Sequence, residues 1–322
     1  MTPPLVSIIC LCYNHAPFLR EALDSVLAQT YPHLEILVVD DKSTDASVQI
    51  IKEYITRFPQ IKFIKHLENQ GNCASFNEGF HLSQGEFFID FATDDVLHPE
   101  RVARQVAAFQ DLPANYGVVY TDGELIDEQS KSLGFFYART TQGKLTPAPA
   151  EGDVFAQVLG RYFICPPTMM MRRQVLEELN GYDPELAYED FDFWVRSSRN
   201  WQYHFLDQVL CQRRIHPYSL SRKVYQVGDK QLASTVRVIQ KAQKLVRTSL
   251  EKKAVLTRIK YEARHAYFTA NYQEAEELLA ILQAEQGLTP VYKVLQVLTQ
   301  KRVPLQFIRR WYHRWKYGYT AA

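Results

Sequence analysis

Gly85-Glu86-Phe87-Phe88-Ile89-Asp90-Phe91-Ala92-Thr93-Asp94-Asp95-Val96-Leu97-His98-Pro99 is the stretch from which the rest of the chain can be read. Phe87 to Phe91 is an aromatic and β-branched run, the pattern of a buried strand. It ends in two adjacent carboxylates, Asp94 and Asp95, and Pro99 then opens a helix whose apolar face carries Val102, Val106 and Phe109. In an open α/β sheet, ligands sit beyond the carboxyl ends of the strands. Two like charges at such a place cost energy unless a positive group joins them. A divalent cation against a phosphate suits them, because hard cations take carboxylate oxygens together with substrate phosphate. The plainer alternative is a solvated turn with an Asp N-cap.

At 322 residues the chain can hold one large domain and a smaller one. Its 37 basic residues nearly cancel its 36 acidic ones, so no overall field points to nucleic acid. Cys10, Cys12, Cys73, Cys165 and Cys211 have neither disulfide-framework nor zinc spacing and read as buried thiols. Leu5 to Cys12 is too short for a signal peptide and lacks a basic flank, and no apolar run approaches a membrane span. A reducing cytoplasm is the expected location.

Val6 to Cys12 reads as a first strand ending at Tyr13-Asn14, followed by a helix carrying Phe18, Leu19, Ala22, Leu23, Val26 and Leu27. Glu35 to Val39 is a second, uniformly apolar strand, as a doubly covered parallel sheet requires. It stops at another carboxylate pair, Asp40-Asp41. A helix face follows (Val48, Ile51, Ile55, Phe58), then a third strand at Ile61 to Lys65, the Gly71-Asn72 loop and a short helix. This β-α alternation implies right-handed crossovers in a mostly parallel sheet. Three strand ends thus converge: Tyr13-Asn14, Asp40-Asp41 and Asp94-Asp95. Neither glycine-rich phosphate-loop pattern occurs, which argues against a dehydrogenase or an ATPase.

Val6-Ser7-Ile8-Ile9 with Tyr13-Asn14, Ser25 to Tyr31, Glu35 to Asp45, and Gly85-Glu86 through Asp94-Asp95 to His98-Pro99 together resemble family 2 glycosyltransferases, blocks in order and spacing. The resemblance covers roughly the first two thirds of the chain. It implies the GT-A fold, an α/β nucleotide-diphospho-sugar-binding domain. It also implies that Asp41 accepts a hydrogen bond from a pyrimidine base, that Tyr13 packs beside that base, and that Asp94 and Asp95 hold Mn²⁺ or Mg²⁺ against the diphosphate. Two positions depart from many members: Ala92 stands where an Asp is common, and no Arg lies near Phe76.

Gly117 to Thr121 resembles the next strand, leading into Asp122. The polar, glycine- and proline-containing segment Asp127 to Ala150 reads as mobile. A helix is expected at Asp153 to Leu159, and Met169 to Met171 as a core strand. In Tyr188-Glu189-Asp190-Phe191-Asp192-Phe193-Trp194 the family's general base corresponds to Asp190. A carboxylate at that position takes the proton of an attacking acceptor hydroxyl, and a single displacement with one base inverts the anomeric carbon. Read from the residues alone, Asp190 and Asp192 would merely begin an exposed helix. Trp194 lines an acceptor pocket or anchors its helix. Two strands are expected at Tyr203 to Asp207 and Val209 to Arg213. Arg214 to Ser221 then resembles the family's histidine motif, in which His216 completes the metal's coordination or contacts the diphosphate.

From Gln226 the chain turns helical, and Tyr261 to Leu282 resembles one tetratricopeptide-type hairpin, too few repeats for a solenoid. In Pro304 to Tyr319 an ideal helix gathers Leu305, Phe307, Ile308, Trp311, Tyr312, Trp315 and Tyr319 on one side. Arg309, Arg310, His313, Arg314 and Lys316 fall on the other, which suits an anionic membrane boundary; packing on the enzyme or in a homodimer is the alternative. The expectation is a GT-A domain over 1–225 and a helical region over 226–322. Its activity would be inverting, metal-dependent transfer from a UDP- or dTDP-linked sugar to a glycan or lipid-linked acceptor. A nucleotidyltransferase would need a basic residue on the triphosphate near the first strand, and no arginine or lysine lies between Val6 and Phe18. A scaffold with a degenerate site fits poorly with the presence of Asp41, Asp94, Asp95 and Asp190 together.

Overall fold

The structure, a computed structural model, describes residues 3–217, 219, 226–228 and 230–307. The amphipathic tail from Ile308 onward, and Tyr218 and Leu220 to Tyr225 of the histidine-motif region, lie outside the described residues. The chain divides into two compact units, Met1–Phe155 with Tyr162–His216, and Ala156–Arg161 with Pro217–Ala322.

The first unit begins with β1 (Val6–Cys12), α1 (Leu19–Leu27), β2 (Leu34–Asp40), α2 (Ser47–Arg57), β3 (Lys62–Lys65), α3 (Asn72–Leu82) and β4 (Phe87–Ala92). It continues with β5 (Val96–Leu97), α4 (Arg101–Asp111), β6 (Tyr116–Ile126) and β7 (Ser132–Phe135). Beyond α5 (Phe155–Gly160) and a 3₁₀ turn at Pro166–Thr168 come β8 (Met170–Arg172), α6 (Arg173–Leu179), α7 (Asp190–Ser197) and β9 (Gln202–Arg214). The strands form one mixed sheet in the order β3-β2-β1-β4-β8-β6-β9-β5, with β7 on β6.

β1 is buried along its whole length because it has parallel neighbours on both sides, β2 and β4. Its apolar run matches that position. The chain winds one way from β1 to β2 and the other way to β4, so the carboxyl end of β1 is the topological switch point where an open sheet leaves a crevice. Helices α1 and α4 supply Leu19, Leu23, Val26, Val102, Val106 and Phe109 to the core on one face. Antiparallel β8 then joins β4 to β6. The sheet curls at the far side, where β5, directly after Asp94-Asp95, pairs with the end of β9 rather than with a neighbour of β4.

One expectation changes. The two strands expected at Tyr203 to Arg213 are one, β9, which absorbs its irregularity as register shifts against β6 around Asp122. Within Asp127 to Ala150, β7 closes a hairpin on β6, and Arg139 bonds to both Asp122 and Asp207. Met169 to Met171 is buried core as expected, and the buried Trp194 indole donates to the Met169 sulfur, as an anchor of α7 would.

The second unit holds α8 (Lys230–Leu245), α9 (Ser249–Phe268), α10 (Tyr272–Gln286) and α11 (Pro290–Gln300). A Thr248–Glu251 capping box starts α9. Helices α9 and α10 form the expected hairpin, with Ile259, Ala263, Leu278 and Leu282 buried. Among the described residues no helix is long and apolar enough to cross a membrane.

Candidate active site

The site is built at the carboxyl ends of β1, β2 and β4, which parallel register holds side by side: Cys12 lies opposite Asp40 and Leu11 opposite Ala92. The first two turns are stitched together. Asn14 takes a left-handed conformation, φ 58°, which Asn tolerates better than most residues. Its Oδ1 accepts the Thr44 amide at 2.7 Å and its own amide donates to Ser43 Oγ at 2.9 Å. Tyr13, 47% exposed, is left at the mouth with its ring available.

Asp41 is buried beside it. Its Oδ1 accepts the Gln70 amide at 2.7 Å and His66 Nδ1 at 2.8 Å, and its Oδ2 accepts the Gly71 amide at 2.8 Å. The loop after β3 therefore wraps the Asp41 carboxylate. One further bond to Oδ2 is within a carboxylate's capacity.

Asp94 and Asp95 part company structurally. Asp95 is buried and its Oδ1 accepts the Arg214 amide at 2.8 Å. Arg214, also buried, returns a bond from Nε to the Asp94 carbonyl and another from Nη2 to Glu21 on α1. Asp94 receives His216 Nε2 on Oδ2 at 3.0 Å, while its Oδ1 is buried without a hydrogen bond, 4.0 Å from His15 Nδ1. Burial opposes charge on both carboxyls. The charge of His15 and the bond from His216 overcome it for Asp94, which is held below the usual carboxylate range. Burial and the Asp94 charge push Asp95 well above it. The two adjacent carboxyls are thus shifted in opposite directions, the usual outcome for crowded acids.

Asp190 opens α7 next to a different group, Asp90 and Glu189. Burial, then repulsion from Glu189, raises it well above the carboxylate range, and its Oδ1 is buried without a hydrogen-bond partner. Glu189 accepts Asn72 Nδ2 at 2.6 Å. Asp90 is raised in the same way, by burial and by the Glu189 charge. The side chain of half-buried Arg213 makes no hydrogen bond or ion pair among the described residues, and its charge acts on both Asp190 and Asp95. Asp192 is spent on Arg196 at 2.6 Å, a structural tie.

The fold thus brings Asp94 and His216 into contact, sets Tyr13 and Asp41 at adjoining strand ends, and groups Asp190 with two acids the sequence reading did not weigh. Asp90 was discoverable. Strand residues two apart share a face, so Asp90, Ala92 and Asp94 point the same way, and all three are half-buried while Phe91 and Thr93 are buried. Arg213, His15 and His66 carried no local signal.

A cation fits this donor set in a limited way. Asp94 offers a buried oxygen with no partner and His216 an imidazole nitrogen, but no cluster of three metal-ligating side chains exists among the described residues. Two protein ligands with the remainder from diphosphate and water is how Mg²⁺-type sites are commonly completed.

The curled mixed sheet flanked by helices is an α/β domain of the GT-A type. The profile described as Glycosyl transferase family 2 matches residues 7–180, over half of the chain, and the protein belongs to that family. An uncharacterized glycosyltransferase of Rickettsia typhi is 33% identical over 214 residues, 66% of this chain and 64% of the relative. One of Rickettsia prowazekii is 31% identical over the same shares. The chain thus matches somewhat under two thirds of the length of these relatives. Among solved structures, Staphylococcus aureus TarS 1-349 in complex with UDP superposes with a TM-score of 0.64 at 17% identity, covering 98% of this chain and 93% of that one. The mannosyltransferase PcManGT of Pyrobaculum calidifontis, solved with GDP-Man and Mn²⁺, gives 0.58 at 18% identity over 93% and 85%. At these identities the likeness is one of fold.

Proposed function

We propose that the chain transfers a glycosyl group, with inversion, from a UDP- or dTDP-linked sugar to a hydroxyl of a glycan or lipid-linked acceptor. The observation that carries this reading is the Asp94–His216 contact, with the spare Asp94 oxygen, in the same crevice as Asp41. Asp41 accepts the ring N–H of the base and Tyr13 packs against it. Asp94 and His216 hold a divalent cation, whose chemistry is to offset diphosphate charge. Asp95 supports from behind, tied to the Arg214 amide. Arg213 supplies a fixed positive charge for the same diphosphate, in place of the Arg missing near Phe76.

In the reaction the acceptor oxygen attacks the anomeric carbon as the bond from that carbon to the diphosphate oxygen breaks. The nucleoside diphosphate leaves with the electron pair, and Asp190 takes the hydroxyl proton. Attack opposite the leaving group inverts the centre. TarS was solved with UDP-GlcNAc and PcManGT with GDP-Man, which supports a nucleotide-sugar donor in general.

Calorimetry tests the reading. UDP should bind at least about 10-fold more tightly with Mn²⁺ than with chelator, because the ionised Asp94 otherwise repels the diphosphate. Mn²⁺ alone should bind weakly, having only two protein ligands. Equal UDP affinity with and without Mn²⁺ would remove the cation from the mechanism, and a preference for GDP would overturn the base assignment.

A further inference from the structure

His66 lies behind Asp41, 4% exposed, at the point where β3 runs into the loop that wraps the Asp41 carboxylate. Both its ring nitrogens are engaged by acids. Nδ1 is 2.8 Å from Asp41 Oδ1, and Nε2 is 2.8 Å from Glu78 Oε2 on α3. Its backbone amide donates to the Asp40 carbonyl, so the ring cannot drift from the end of β2. A neutral imidazole donates through one nitrogen and accepts through the other, whereas an ionised carboxylate can only accept. Two ionised carboxylates on one ring therefore require the imidazolium. Burial would push His66 down, but its bonds to Asp41 and Glu78, reinforced by their charges, outweigh burial and hold it above the ordinary imidazole range.

We propose that His66, bridged to Glu78, is a positioning residue that holds Asp41 in place for the nucleotide base. This rests on the reading of Asp41 as the base acceptor and adds a regulation to it. When His66 loses its proton, one of the two bridges loses its donor. The Asp41 carboxylate and the Gln70-Gly71 turn bonded to it are then free to shift. The ionisable groups acting on the ring are Asp41, from the end of β2, and Glu78, from α3. Donor affinity accordingly falls as pH rises through the raised imidazolium range, and the effect appears in KM for the donor rather than in kcat.

The test is calorimetry of UDP, with dTDP as a second probe, in Mn²⁺ across about pH 6 to 9, the span in which a raised imidazole titrates. It uses the full chain, His66→Gln, Glu78→Gln and Asp41→Asn, with thermal unfolding as the folding control. Wild-type affinity should fall several-fold as the pH rises. Glu78→Gln removes one stabilising charge at a side chain that is 42% exposed, so the variant should fold and its affinity should fall at lower pH. His66→Gln should bind about 10-fold more weakly, with little pH dependence. If Asp41→Asn binds both probes like the wild type, the base reading fails and takes this proposal with it. If Asp41→Asn is weak while Glu78→Gln keeps the wild-type pH profile, the positioning role alone is overturned.

Discussion

Asp190, Asp90 and Glu189 crowd three carboxyl groups into one corner, where burial first and the Glu189 charge second act on both Asp190 and Asp90. Burial and Glu189 hold Asp190 well above the ordinary range near 4. A base works only when ionised, so activity should be lost as pH falls through this raised value, placing the acid limb of kcat/KM above that of an ordinary carboxylate. Asp190 and Asp90, each raised and the Asp90 charge acting on Asp190, should titrate together. Asp190→Asn keeps the shape and abolishes the basicity. It should leave UDP affinity within a few-fold while lowering transfer about 100-fold or more, measured with the true acceptor. Near-normal turnover would assign the base elsewhere. Asp190 and Asp94 were visible in the sequence through motif spacing. Arg213 was not, because two adjacent arginines on a strand face opposite ways and nothing local says which one meets the site.

Helix α3 owes its position to a missing side chain. Gly79 faces β1, and a Cβ there would lie 2.6 Å from Ile9 Cγ2, a side chain itself wholly buried. In an exposed helix Gly→Ala would add roughly 1 kcal/mol of stability. Here the clash reverses the sign, and Gly79→Ala should cost about 1–3 kcal/mol. Urea denaturation with an unchanged slope would confirm the loss. A stabilised variant would mean that α3 can slide away from β1. The hairpin after β6 makes the complementary point. Its glycines, prolines and polar residues suggested mobility, yet Arg139 ties it to Asp122 and to Asp207, 68 positions further along. No local pattern encodes a bond at that separation.

Across the whole molecule, the tail beyond Arg302 remains a question of surface chemistry. Its sequence sets Trp311, Tyr312, Trp315 and Tyr319 against Arg309, Arg310, Arg314 and Lys316 without an acidic residue. An aromatic and basic segment of this kind binds anionic interfaces partly by charge and is weakened by salt. The full chain should therefore float with anionic liposomes at low salt. A chain ending at Arg302 should not, and neutral liposomes should capture less of either. Indifference to both lipid charge and the deletion would return the tail to ordinary packing.

The sequence by itself determined the element order, the buried strands and the carboxylates at their ends. These depend on short-range periodicity and on motifs in which neighbouring residues share one job. It also carried the family, because four motif blocks keep their order and spacing. Only the tertiary structure decided how the acids divide their work. Asp94 is left with a spare oxygen because His216, 122 positions away, takes the other. Asp95 is turned to structural use by the amide of Arg214, and Asp41 is wrapped by a loop that His66 and Glu78 hold in place. Two adjacent aspartates are chemically identical as written. Burial, and the charges that long-range pairing brings beside each, push the two carboxyls in opposite directions.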